Sequence, residues 1–470
     1  MGETAGGRLA PTLEASLSWL INIIGFLLVI GVLVAVHEFG HFWVARRVGV
    51  RVLRFSIGFG KPLLQRTGSD GTEYVLAAIP LGGYVKMLDE REAPVAEDSL
   101  HQAFNRKPLW ARNAVICAGP AFNFALAIVA YWLVFVIGAT EVRPVVGPVT
   151  PESPAAEAGL VSGDEFLRID DKRVQAWDDT VMTLIGSADD GPFPVEVERE
   201  SGTRTSLTLD LTGVRLLEEQ GEALQRVGLQ PMQPTIDPVI NEVVPESSAA
   251  RAGLESGDRV RQLDGEPIDS WRALVMAIRE RPDSEVTLTI ERGGTALTRS
   301  FTLDSRGAGD GRTGVLGVTP QVPEGVLSDL RHEVRYGPVA AVGQAVGSSW
   351  QAAALTVDVL VKMVIGEASV KNLSGPINIA QYAGDSVSLG LIPFLKFLAI
   401  VSISLGILNL MPVPVLDGGH LLYNAIEWVR GRPLSEAAQG MGQQIGMVLL
   451  LMLMTLAFYN DLNRVFGAGG

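Results

Sequence analysis

His37-Glu38-Phe39-Gly40-His41 sets two imidazoles and a carboxylate within one short run. On a helix, positions i and i+4 share a face, so His37 and His41 can hold one zinc ion between them. Glu38 then stands beside the attacking water, where a carboxylate can take its proton as general base. The bland alternative is that these side chains merely snorkel to a membrane interface. Zinc needs a third protein ligand and an open position. Of the other histidines, His101 and His332 fall in charged loops, and His420 ends the stretch Asn409–His420, NLMPVPVLDGGH. Asp417 in that stretch can supply a carboxylate oxygen, and His420 can serve as its hydrogen-bond partner.

Both motifs lie at the ends of apolar runs. The chain is 47% hydrophobic and only 19% charged, with a mean hydropathy of +0.26 over 470 residues. Soluble domains carry about 25% charge, so part of this chain has no water around it, and disorder is excluded. Apolar runs at about Trp19–Val36, Ala114–Gly138, Leu389–Met411 and Ile445–Phe458 predict four membrane spans. The flank before the first contains Glu3, Glu14 and Arg8 with no small-residue cleavage site after it, which argues for a span rather than a signal peptide. Ionisable residues in a span are costly, which makes function the default reading of the histidine motif. The single cysteine, Cys117, cannot form an internal disulfide. A net charge of −14 argues against nucleic acid as the main partner.

Arg46, Arg47, Arg51 and Arg54 follow the first span; Arg106, Lys107 and Arg112 lead into the second; Arg430 and Arg432 separate the last two. By the positive-inside rule these loops are cytoplasmic, and both termini and the segment from about Ala139 to Gly390 lie outside. Asp417 then shares the cytoplasmic side with His37 and His41. Pro412 and Pro414 break the helix there, and irregular backbone at membrane depth is tolerated where it lines a cavity. Trp350–Ile365, with Asp358 and Lys362, reads as an amphipathic interfacial helix rather than a fifth span.

The outer segment repeats itself. Val149–Asp164, VTPESPAAEAGLVSGD, returns about 94 residues later as Val243–Asp258, VVPESSAARAGLESGD. Trp177 answers Trp271, Met182 answers Met276, and Val227–Pro231 echoes Leu316–Pro320. With alternating runs such as Glu285–Ile290, the segment resembles a tandem of circularly permuted PDZ domains, a fold that binds peptide by strand addition. The alternative is that the signature residues make only a tight turn and a core helix.

H-E-x-x-H in one span with N-x-x-P-x-P-x-L-D-G in a later one resembles the site-2 protease family of intramembrane zinc metalloproteases. The likeness extends through Val36–Lys61, Pro80–Glu90, Gly119-Pro120 with Asn123, and Leu373–Pro376. It implies His37, His41 and Asp417 as zinc ligands, with Asp417 ranked above His420, and Glu38 as catalytic acid/base. Asn409 matches an asparagine that contacts substrate, although capping of backbone freed by Pro412 is an equal reading. Arg54–Lys61 and Glu73–Met87 read as strands, and the family places here a membrane-dipping hairpin whose edge pairs with unwound substrate. Gly58, Phe59 and Gly60 are its candidate substrate contacts, with a plain surface hairpin as the alternative.

The expected fold is a polytopic α-helical membrane protein with four transmembrane helices, a membrane-associated β-hairpin and two α+β PDZ domains between spans two and three. Its parts are a tail (1–15), span one (16–45), the hairpin loop (46–112), span two (113–138), the PDZ domains (139–231 and 232–322), a linker with the amphipathic helix (323–388), span three with L-D-G (389–420), a cytoplasmic loop and helix (421–444), and span four with its tail (445–470). The resemblance implies Zn²⁺ as cofactor, the lipid bilayer of the bacterial inner membrane as surroundings, and single-span substrates. Those would be an anti-sigma factor trimmed outside the membrane, or remnant signal peptides. The PDZ pair would exclude untrimmed substrates, or capture peptide C-termini. The competing reading is a PDZ-bearing membrane scaffold with a degenerate metal site; an intact Glu38 argues against it. Transport would call for paired half-helices in symmetric halves, and only one Pro-broken span lies near the site.

Overall fold

The computed structural model describes residues 10–189, 191–218, 223–307, 312–323, 325 and 328–467, so part of the expected N-terminal tail lies outside the described residues. The chain forms two compact units, one of Met1–Ala139, Leu217–Gln220 and Glu333–Asp461, the other of Thr140–Leu216, Gly221–His332 and Leu462–Gly470.

The first unit is mainly helical. Helix α1 (Ala10–Arg47) is followed by strands β1 (Val52–Thr67) and β2 (Glu73–Met87) and helix α2 (Leu109–Ile137). After the second unit come α3 (Pro338–Ile365), α4 (Pro376–Leu389), α5 (Leu391–Leu410), α6 (Asp417–Arg430) and α7 (Glu436–Gly467). Among the described residues, five helical segments are long and apolar enough to cross a membrane: Trp19–Arg47, Leu109–Ile137, Pro338–Ile365, Leu391–Leu410 and Glu436–Arg464. Four were expected. The addition is α3, one unbroken helix of 28 residues whose second half is the expected Trp350–Ile365 helix. Its buried positions are Ala341, Ala345, Ser349 and Ala352, a row of small residues that lets a neighbouring helix approach closely. Asp358 and Lys362 pair at 2.9 Å one turn apart on the same helix. The third apolar run also divides: α5 stops at Leu410, and Asp417 opens a separate helix, α6.

Helix packing brings α2 against both α1 and α5, while α4 lies on α1. Val29 and Leu33 of α1 are buried with Ala383 of α4 and Leu398 of α5. Strand β1 runs past the expected Lys61, because both strands bend and pair twice. Phe55 faces Val85 on one side and Tyr74 on the other, and Ile57 faces Gly83 and Leu76. Beyond the bend, Gln65 pairs with Val75 and Arg66 with Tyr74. Four short segments result, in the order 64–67, 73–76, 54–57, 83–87, with two open edges. Gly58 and Gly60 turn at φ 89°, a region that an L side chain rarely enters. Phe42, Ala45, Val50, Val52 and Val115 form the core that fixes this sheet to α1 and α2.

The second unit contains two similar sheets. In one, segments 172–173, 165–169, 193–198 and 204–209 lie side by side; in the other, 266–267, 259–263, 285–292 and 295–302 do. The repeated signature has a structural account. Ser153 and Ser247 cap short helices by accepting from Ala156 N and Ala250 N. Asp164 and Asp258, both fully buried, are held by Arg199 and Arg292, each at 2.7 Å. Gly228 and Gly317 lie so close to Ser153 and Ser247 that a Cβ would collide with them. The echo at the end of each repeat therefore packs on the cap at its start.

Candidate metal centre

The last turns of α1 carry His37, Glu38 and His41, each only 9% exposed. Spacing of four residues puts both imidazoles on one helix face, edge to face with centroids 4.8 Å apart. Facing them is Asp417, the first residue of α6. Met411–Leu416 breaks the chain between α5 and α6, and Gly418 and Gly419 let the new helix fold back on the carbonyls of Leu410, Met411 and Val413, where a Cβ has no room. A carboxylate in the first turn also suits the helix dipole. Arg112 of α2 ties α6 down through Glu427 at 2.5 Å, and Asn424 donates to Asn113 Oδ1 at 2.7 Å.

His37 Nε2 and His41 Nε2 are 3.2 Å apart, and Asp417 Oδ2 lies 3.3 and 3.4 Å from them. A tetrahedral zinc ion with Zn–N and Zn–O distances of about 2.0–2.2 Å spaces its ligands roughly 3.3 Å apart, so the triangle fits one face of that tetrahedron. Asp417 Oδ2 is buried without a hydrogen-bond partner among the described residues, as an atom awaiting a cation would be.

Helix α2 supports the histidines in ways that spacing alone did not reveal. His41 Nδ1 donates to Val115 O at 2.8 Å, which leaves the Nε2 lone pair facing the triangle. Asn123 lies 3.1 Å from His37 Nδ1. At Gly119 a Cβ would overlap His41 Nε2 and stand 2.7 Å from His37 Cε1. Only glycine lets α2 pass beneath both rings. Gly119→Ala is therefore expected to weaken zinc binding by about 10–100-fold while helix content holds, because alanine is the better helix former. Metal analysis after chelator challenge checks this; zinc held as firmly as in the unsubstituted protein would contradict it.

Glu38 is turned toward the sheet, with its Cγ 2.8 Å from where a Cβ of Gly83 would stand. The nearest edge segment is thus 83–87. Gly58, Phe59 and Gly60 sit at the bend, where the Phe59 ring stacks on Tyr84 with centroids 6.2 Å apart. Asn409 is half-buried in the last turn of α5, and its side chain has no hydrogen-bond partner among the described residues. His420 is exposed and packs edge-on against Tyr423 rather than bonding to Asp417. The signals for Gly83, Gly119 and Asn123 were in the sequence as a Gly-Gly pair and a G-P-x-x-N run, but nothing there said what they touch.

Comparison with known proteins agrees over most of the chain. The profile described as "Peptidase family M50" matches residues 25–453. "Regulator of sigma-E protease RseP" of Escherichia coli (strain K12) is 46% identical over 451 residues, 96% of this chain and 100% of that one. "Regulator of sigma E protease" of Salmonella typhi is also 46% identical, over 453 residues with the same coverage. A "putative zinc metalloprotease" of Vibrio cholerae is 43% identical over 449 residues, 95% of this chain and 99% of that one. Among solved structures, the PDZ domain of an SdrC-like protein from Listeria monocytogenes covers 19% of this chain and 92% of its own at 16% identity, with a TM-score of 0.16 too low to bear on the fold. A match this long at this identity, to a chain with several helices fit to span a membrane, means that the protein belongs to peptidase family M50 and is a multi-pass zinc metalloprotease.

Proposed function

We propose that the protein cleaves peptide bonds inside the membrane, in the spanning segments of single-span proteins, using His37, His41 and Asp417 as zinc ligands and Glu38 as general acid/base. The observation that carries this reading is the His37–His41–Asp417 triangle, built between the C-terminal turns of the apolar α1 and the first residue of α6, just past the apolar α5.

The same triangle supports four crossings. It joins the C-terminal end of α1 to the start of α6, just past the C-terminal end of α5, so α1 and α5 run in the same direction. Since α2 returns from α1, the chain between α2 and α5 must begin and end on one side. A crossing by α3 alone would reverse α5, and α4, at 14 residues and about 1.5 Å rise each, is too short to restore it. Helix α3 is accordingly read as lying at the interface. With the arginine-rich loops inside, the site faces the cytoplasmic side of the inner membrane, and the PDZ domains and both termini face outward.

Zinc held there supplies a Lewis acid that polarises the scissile carbonyl and makes water acidic enough to be used at neutral pH. Glu38 accepts the proton of the attacking water at its carboxylate and delivers it to the leaving amine. A transmembrane helix hides its carbonyls in its own hydrogen bonds, so substrate must unwind first. The open edge at 83–87, beside Glu38, offers replacement bonds to the extended segment. Gly58, Phe59 and Gly60 shape the bend that presents this edge and meet the substrate alongside it. The amide of Asn409, unpartnered among the described residues, is free to meet the substrate backbone near the cleaved bond.

Relatives carrying the name of sigma-E regulators support an anti-sigma factor, already trimmed outside the membrane, as the substrate, with release of its cytoplasmic fragment as the stress signal. Remnant signal peptides are a second class. The two PDZ domains act as a size filter on this access, with capture of peptide C-termini as their other role.

The test gives purified protein a tagged single-span substrate, intact or trimmed, and maps the products by mass spectrometry. The expected cut lies within the spanning segment of the trimmed form; cuts confined to flanking soluble segments would overturn the intramembrane reading. A variant lacking both PDZ domains is expected to cut intact substrate as well. Complete loss of cleavage in that variant would end the filter reading.

A further inference from the structure

We propose that Asn123 is a positioning residue that holds the His37 proton on Nδ1 and so leaves Nε2, the nitrogen facing Asp417, free to bind the metal. The inference rests on the assignment of His37 as a ligand and goes on to ask what holds it in a ligating form.

A neutral imidazole that binds metal through Nε2 carries its proton on Nδ1 and needs an acceptor there. His41 has one in Val115 O. Among the described residues His37 Nδ1 meets only Asn123, 3.1 Å away, and the atom it meets is the amide Nδ2, which is a donor and not an acceptor. In this arrangement the His37 proton belongs on Nε2, pointing toward Asp417 Oδ2 at 3.3 Å. That tautomer leaves no lone pair on Nε2 for a bond to metal. The other end of the same amide, Asn123 Oδ1, is buried and has no partner among the described residues. A half-turn of the amide about its Cβ–Cγ bond brings Oδ1 to His37 Nδ1. It then accepts the Nδ1 proton, frees the Nε2 lone pair and gives the unsatisfied oxygen its bond.

A primary amide can follow the imidazole in this way, because it offers a donor and an acceptor on a single pivot. The pivot itself is fixed. Asn123 is fully buried on α2, and its backbone carbonyl accepts from Ser402 Oγ of α5 at 2.7 Å. The residue therefore stands between the helix that carries the histidines and the helix that leads to Asp417.

The experiment measures zinc affinity in detergent by competition with a chromogenic chelator for the unsubstituted protein, Asn123→Ala, Asn123→Asp and His37→Ala. Asn123→Ala is expected to bind zinc about 10–100-fold more weakly, the usual cost of losing a group that orients a metal-binding histidine. Asn123→Asp keeps an acceptor for Nδ1–H and is expected to hold zinc close to the original affinity. Cobalt loading adds a spectroscopic readout: the visible bands of Asn123→Ala should shift, and those of Asn123→Asp should not. Zinc affinity of Asn123→Ala equal to the original, or of Asn123→Asp as low as Asn123→Ala with both variants monodisperse and equally helical, would overturn the proposal. His37→Ala separates the two levels of the argument. If it retains zinc, His37 is not a ligand; if it loses zinc while Asn123→Ala does not, only the role of Asn123 falls.

Discussion

Glu38→Gln should lose about 10²–10⁴-fold or more in peptide-bond cleavage while the protein keeps its zinc. Glutamine has the shape of glutamate and can occupy the same buried space beside Gly83, so the fold has no reason to change. It cannot accept a proton from water at neutral pH. The triangle of His37, His41 and Asp417 does not include the Glu38 side chain, so its affinity for the ion should be nearly untouched. The measurement is cleavage of a tagged single-span substrate together with bound metal. Cleavage lost with zinc retained supports Glu38 as the proton carrier. Equal cleavage by both proteins would place the catalytic base elsewhere.

Asp417→Ala should lose zinc and activity together. A structural zinc site with four protein ligands is worth roughly 10–16 kcal/mol, about 2.5–4 kcal/mol per ligand on average, so losing one of the three here should cost at least about 10²-fold in affinity. The substitution removes the carboxylate and leaves both imidazoles in place, since α2 holds His41 through Val115 O and meets His37 through Asn123. Helix α6 remains tied to α2 by Arg112 and Glu427, so the variant should insert and fold normally. Zinc per protein after dialysis is the direct check. Full stoichiometry in Asp417→Ala would remove Asp417 from the ligand set and turn attention to the exposed His420.

Much of the architecture is written in local pattern. Uninterrupted apolar runs announce helices because a backbone without water must satisfy its own hydrogen bonds. The two signature repeats return as two similar sheets because each contains its own cap, its own buried Asp–Arg pair and its own glycine packed on the capping serine. Helix α3 shows where local pattern runs out. Small residues, valines and one Asp358–Lys362 pair suit a helix on the membrane surface or within it, and composition cannot choose between them. The direction of α5, seen only once Asp417 meets His37, bears on that choice.

The chemistry divides in the same way. Two histidines four residues apart share a helix face whatever surrounds them, and the break at Pro412 and Pro414 is a property of proline, so the sequence by itself determined both half-sites. Tertiary structure decided that Asp417 closes the triangle, that segment 83–87 is the edge beside Glu38, and that α2 passes close enough beneath the rings for Gly119 to be required. It also decided the partners of the imidazole Nδ1 atoms, which lie 74 and 86 residues away along the chain. Periodicity describes which face of its own helix a residue occupies. The residue opposite depends on how helices cross, and that is set by the whole buried interface rather than by any one segment.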